Sequence, residues 1–302
     1  MLAQLVAVFF DVVAPVFGIV ALGYLLGPRL RLDARTLSRV AYFVFVPAFT
    51  FHVISTSGIP LASAARLAAY ITVVHLIFAM VGWGVARALG RPREIAAAFV
   101  MLSVFGNVGN FGLALIRFRL GEEALVPATI YFVVIVIVSF VVCVGVAAWT
   151  RGGKLSALGE VLRTPALLAM VPAAAVAHWN LPVPLMVSRT VGLLADAMIP
   201  TMLLALGLQL AAARELRVTG DVVLASGVRL VVAPLVAAAL VVPFGLEGLD
   251  RAAGILQAGM PAAVLVSIIA MEFDVAPTFV TTAVFFSTLC SLPTLTVLLA
   301  WV

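Results

Sequence analysis

Apolar residues run along this chain in stretches of about 20 or more, the length that crosses roughly 30 Å of hydrocarbon as a helix. Short polar connections separate them. The pattern predicts ten spans, at residues 5–27, 36–57, 62–89, 94–117, 124–149, 158–179, 184–211, 219–244, 251–271 and 277–302. The first run lacks a basic flank and continues through Leu26, too long for a signal-peptide core, so it reads as a span. No soluble domain, long linker or low-complexity tract is expected.

Two of these spans carry sequences that a helix interior disfavours. Residues 106–112 read GNVGNFG in the middle of the fourth. Each glycine costs about 1 kcal/mol against alanine there, and asparagine competes for backbone hydrogen bonds. In the ninth, QAGMPAAV places Gly259 two residues before Pro261, and proline removes a donor and clashes with the preceding turn. Breaks are therefore predicted in both. Unwound backbone at that depth is tolerated only inside protein or beside a watered cavity. The freed amides at each restarted helix, with the Asn107 and Asn110 side chains, would form an anion-binding locus. The competing reading is that Gly106, Gly109 and Gly112, spaced by three, simply allow close helix packing.

The two halves correspond at a constant offset. Pro47 in VFVPAFTF lies 153 positions before Pro200 in AMIPTMLL, and Gly106 lies the same distance before Gly259. Spans divide five and five, with a basic segment from Arg151 to Arg163 at the join. We therefore expect an all-α integral membrane protein of two inverted five-helix repeats, residues 1–150 and 155–302. An odd-numbered repeat enters the membrane in opposite senses in its two copies. Inverted repeats of this kind characterise secondary transporters, whose sites lie near the midplane where helices are interrupted.

Composition agrees with a lipid setting: 65% of residues are hydrophobic and 10% charged, where soluble domains are about half apolar and a quarter charged. The net charge of +5 is scattered over short loops, with no aromatic-laced basic patch, and nucleic acid is excluded as a partner. Its distribution reports topology instead. With the N-terminus outside, the cytoplasmic side receives twelve Lys and Arg residues against five opposite, which places both termini outside. Cys143 and Cys290 fit no metal-ligand spacing and read as packing residues. No cofactor and no metal site is expected.

Polar groups inside spans are expensive and merit individual readings. Arg229, some ten residues into the eighth span, is either the counter-charge of an anionic substrate or the partner of an internal acid such as Asp196. Asp196, one turn before Pro200, either takes up a coupling proton or sodium ion or is merely solvated. His52, after VPAFTF, is a candidate proton acceptor, whereas His75 reads as a core histidine bonded to a carbonyl and His178, beside Trp179, as part of an interfacial anchor. Gln257 precedes the second break and would bond substrate or an opened carbonyl. Glu272 and Asp274 are expected to face water.

Three stretches carry a resemblance: GNVGNFGLAL followed by GEEAL, QAGMPAAVLVSIIAMEFDV, and TTAVFFSTLCSLPTLTVLL. They resemble the auxin efflux carrier family, which includes bacterial carboxylate permeases and the plant PIN-formed auxin exporters; VPAFTF in the second span fits as well. The resemblance implies a ten-helix carrier in which spans 4 and 9 cross as broken helices, a homodimer, a fixed scaffold and an elevator-like transport part. In the plant carriers the first crossover reads Pro-Asn, and the asparagine helps hold the substrate carboxylate. Here Asn107 carries over, and Gly106 stands where the proline would. The family's Gln-Ala-x-x-Pro is present as Gln257, Ala258, Gly259, Met260 and Pro261. The long cytoplasmic loop of many plant exporters is absent, so auxin is not inferred.

These observations point to an inner-membrane carrier for a small organic anion, a carboxylate, driven by protons, by sodium, or by the substrate gradient alone. A receptor for the same anion, or a channel, would leave a similar sequence. An enzyme is not expected, because neither GxSxG nor HExxH nor a suitably spaced pair of intramembrane acids occurs.

Overall fold

A computed structural model describes residues 2–151, 164–212 and 216–302. The predicted start of the sixth span at 158, the Lys154 and Arg163 part of the join, and Arg214 lie outside the described residues. Those residues form helices and short connections, with one isolated β-bridge as the exception among them.

Seven helices are long and apolar enough to cross a bilayer among the described residues: α1 (Ala3–Leu30), α2 (Ala34–Ser55), α3 (Leu61–Ala88), α6 (Leu125–Arg151), α8 (Leu185–Ala212), α9 (Gly220–Val241) and α12 (Pro277–Trp301). The shorter α7 (Pro165–Trp179) is also apolar. Between α3 and α6 the chain forms α4 (Arg93–Val104) and α5 (Leu113–Leu120), and between α9 and α12 it forms α10 (Gly248–Ala258) and α11 (Val264–Glu272). These four short helices occupy the two apolar segments in which breaks are expected.

Helix ends follow local chemistry. Asp33 accepts two of the first free amides of α2, and Thr219 accepts one, that of Val222, in α9, residue types that satisfy orphan donors well. Prolines precede α3, α4 and α8, where the missing N–H has no helical acceptor to lose. Left-handed Arg31 and Asn180 end α1 and α7. Phe10, Leu61, Val171, Leu193, Leu235 and Val242 are exposed, as a lipid-facing surface requires.

The helices pack in two groups. In one, α1 lies along α8 and α2 lies along α7 and α8. Gly23 and Gly207 permit the α1–α8 approach: a Cβ on Gly23 would meet the Leu204 carbonyl, and one on Gly207 the Val20 carbonyl. In the other group α3, α4 and α6 pack together, as do α9, α10, α11 and α12, and the two sets join through α6 against α10 and α3 against α9. The interrupted segments lie within this second group.

Candidate functional site

The first interruption begins where α4 ends. Phe105 is extended at φ −104° and ψ 91°, and the helix restarts only with a wide π turn, Val108–Gly112, that leads into α5. The second runs from Gly259 to Ala263, with Ala263 extended at φ −73° and ψ 142° before α11. Proline cannot donate at position 261, and glycine at 106 relaxes the backbone; both effects free polar groups that must find partners.

They find each other. The Asn107 N–H donates to the Pro261 carbonyl at 2.7 Å, and the Ala263 N–H donates to the Phe105 carbonyl at 2.8 Å. Gly106 and Ala262 thereby form an antiparallel bridge between the two broken segments. Serines from the flanking long helices take up further groups. Ser139 of α6 donates Oγ to the Val104 carbonyl at 2.8 Å. The Ala262 N–H donates to Ser287 Oγ of α12 at 3.2 Å.

Arg229 joins the same junction from α9. It is fully buried, and its guanidinium donates Nε to the Met260 carbonyl at 2.8 Å, Nη1 to the Ser103 carbonyl at 2.9 Å and Nη2 to the Gln257 carbonyl at 3.5 Å. Phe78 of α3 lies beneath it, with the guanidinium carbon 5.6 Å from the ring centre. Gly106 makes room: a Cβ there would collide with Nη2. Gly112 plays the same part for Gln257, whose Oε1 would meet a Cβ at that position. The glycines thus serve both readings raised above, because the break and the close packing occur together.

Asn107 is 4% exposed, and its Nδ2 has no hydrogen-bond partner among the described residues. Gln257 is fully buried; its Nε2 donates to the Ala128 carbonyl at 3.4 Å, while Oε1 lacks a partner among the described residues. An unpartnered buried amide costs about 1–3 kcal/mol, so each native instance calls for a reason. Around the crossover, positions 104–112 and 258–266 are buried except Asn110, Val264 and Leu265, which are half-buried. The π turn faces the other helix group: Phe111 meets Phe17 of α1 edge-on at 4.9 Å, and the turn contacts α8.

The crossover therefore brings together Gly106, Asn107, Asn110, Gln257, Gly259, Met260, Pro261 and Arg229. Asp196 and His52 lie elsewhere. Asp196 is exposed on α8, and the ion pairs among the described residues are Arg91–Asp221 and Arg117–Glu122. His52 lines a cavity of about 220 Å³ with Ser55, Thr56 and Ser188, between α2, α7 and α8. His75 is buried with Nδ1 2.7 Å from the Ile71 carbonyl, and its Nε2 lacks a partner among the described residues. No group of three or more His, Cys, Asp or Glu suited to a metal occurs among them. Ser139 and Ser287 are not singled out by the sequence: Ser139 is a lone serine in an apolar run, and Ser287 is one of many hydroxyl residues along α12.

The family described as membrane transport protein matches residues 8–161 and 154–299. Over most of its length the chain is similar to an uncharacterized transporter of Methanothermobacter thermautotrophicus, 26% identical over 94% of this chain and 95% of the relative. It is equally similar, at 26% over 95% and 93%, to a Rhizobium meliloti protein named "Putative malonate transporter". Auxin efflux carrier component 1 of Arabidopsis thaliana is 30% identical over 38% of this chain and 19% of its own length. The protein belongs to this membrane transport family, that of the auxin efflux carriers.

Proposed function

We propose that the chain is a secondary carrier for a small organic anion, a short-chain carboxylate, and that the crossover is its binding site. The observation that carries this reading is the backbone bridge between the two interrupted helices, with the Asn107 amide beside it and Nδ2 unpartnered. A carboxylate oxygen would accept from the Asn107 side-chain amide, and the restarted helix ends, at the Val108–Gly112 π turn and at the first turn of α11, add the positive ends of their dipoles. Asn110, half-buried beside α8, and Gln257 and Met260 at the second break would shape the remainder. The malonate named for the Rhizobium relative makes dicarboxylates the first substrates to try.

In this reading α4 with α5 and α10 with α11 each count as one broken span, giving ten spans in two inverted repeats, residues 1–150 and 155–302. The packing supports that count. Exchanging the halves turns the α1–α8 contact into the α7–α2 contact, and the α3–α4–α6 cluster into α9–α10/α11–α12. The group of α1, α2, α7 and α8 would be the fixed scaffold and dimer surface, while the other group moves the site across in an elevator motion. The loop basic bias supports both termini outside the inner membrane.

Melting the purified protein against a panel of mono- and dicarboxylates tests the reading. A saturable rise in melting temperature with malonate or a close analogue is expected, followed by uptake into liposomes under imposed pH and sodium gradients. A flat response to the whole panel, with no uptake of any member, would count against a carboxylate carrier.

A further inference from the structure

A positive charge with no solvent contact is costly in a membrane protein and is normally offset by an acid. Arg229 is offset differently. Among the described residues its hydrogen bonds go to the carbonyls of Ser103, Gln257 and Met260, in the last turn of α4, in the last turn of α10 and just beyond the end of α10. These are the negative ends of two helix dipoles, and they converge on one guanidinium from both broken segments. The Phe78 ring contributes a cation–π contact. Arg229 itself sits in a π turn of α9, Val228–Val232, a local widening that often marks a functional position.

In carriers built on broken helices, opened carbonyls and half-helix C-termini are the groups that coordinate a coupling cation. Here a covalently attached cation holds those groups. We propose that Arg229 is a fixed cation that positions the crossover, holding the C-terminal ends of both interrupted helices together while the substrate binds at their restarted N-terminal ends, so that its loss leaves a cation-requiring gap. Arg229 is then a positioning residue, acting on the anion through the backbone it holds. The proposal rests on the carrier reading above.

Arg229→Met, similar in reach but uncharged, removes charged hydrogen bonds whose loss corresponds to about a ten- to hundredfold fall in malonate uptake. Arg229→Lys keeps the charge and recovers part of it. The distinguishing readout is chemical rescue: millimolar methylguanidinium restores uptake and raises the melting temperature of Arg229→Ala, and does neither for Asn107→Ala, whereas the wild type is indifferent to it. Wild-type rates in Arg229→Met, or an Arg229→Ala protein that neither methylguanidinium nor sodium restores in uptake or melting, would overturn the proposal. If Arg229→Ala cannot be purified, Arg229→Lys melting and transporting no better than Arg229→Met does the same. Should the wild type move no carboxylate, the carrier reading fails, while the melting arm still decides the role of Arg229.

Discussion

The Asn107 N–H donates to the Pro261 carbonyl across 2.7 Å, tying one broken helix to the other through main chain alone. The bond does not use the Asn107 side chain, whose Nδ2 is buried without a partner. Asn107→Ala therefore removes no internal hydrogen bond through that atom and relieves the burial of a lone donor. We expect its melting temperature to stay within about 2 °C of wild type, a window of about 1 kcal/mol for a chain of this length. A large drop in stability would mean that the amide has a structural task.

Gly106 packs directly against the Arg229 guanidinium. A methyl group there collides with the guanidinium, and overpacking of a filled site costs about 1–3 kcal/mol. Gly106→Ala should melt lower and lose uptake. Gly84, with open space around its position in α3, is the control; Gly84→Ala should be neutral or stabilising by up to about 1 kcal/mol.

Ser287 is the acceptor for the Ala262 amide in the second interruption. Ser287→Ala leaves that buried N–H without a bond, at a cost of about 1–3 kcal/mol. Thermal melts should show the loss, and hydrogen exchange should show it confined to the segment around Ala262. Unchanged protection of that amide would show that Ser287 is dispensable.

Asp33 gives a pH dependence outside the membrane. The Thr36 hydroxyl, its N–H and the Arg35 N–H all donate to the carboxylate, holding its pKa below the ordinary 3.8, with the Thr36 hydroxyl the leading cause. Because the folded value is depressed, the cap's contribution is fully present above 3.8 and disappears as pH falls through the lower folded value. Wild type should out-melt Asp33→Ala at neutral pH, and the gap should close in acid; a gap that widened in acid would reverse the assignment.

Sequence patterning located the breaks because glycine, asparagine and proline act on their own backbone, and a local effect is visible locally. The partner of each freed group is a long-range matter. Nothing in the chain pairs Gly106 with Ala262, since a two-residue bridge has no periodicity to read. Arg229 stood out for its depth, yet its bonds go to carbonyls, and every residue carries a carbonyl, so no acidic letter in the sequence announces them. His52 and Asp196 drew attention by residue type and by lying near the prolines Pro47 and Pro200; the packing places them with α2 and α8 rather than at the crossover. Hydrophobic patterning alone does not show the split into two helix groups, because lipid-exposed and buried helices share one composition; only the family resemblance implies two parts.

Counterflow in liposomes asks whether the paired break grips the anion during transport: vesicles loaded with unlabelled malonate are diluted into labelled malonate, with wild type and Asn107→Ala compared at equal, folded protein. The account predicts a transient overshoot of label with the wild type, saturable by external substrate, and none with Asn107→Ala. An overshoot of equal height and affinity in the variant, or a wild type that only equilibrates label without overshoot, would contradict a carrier whose grip is the paired break.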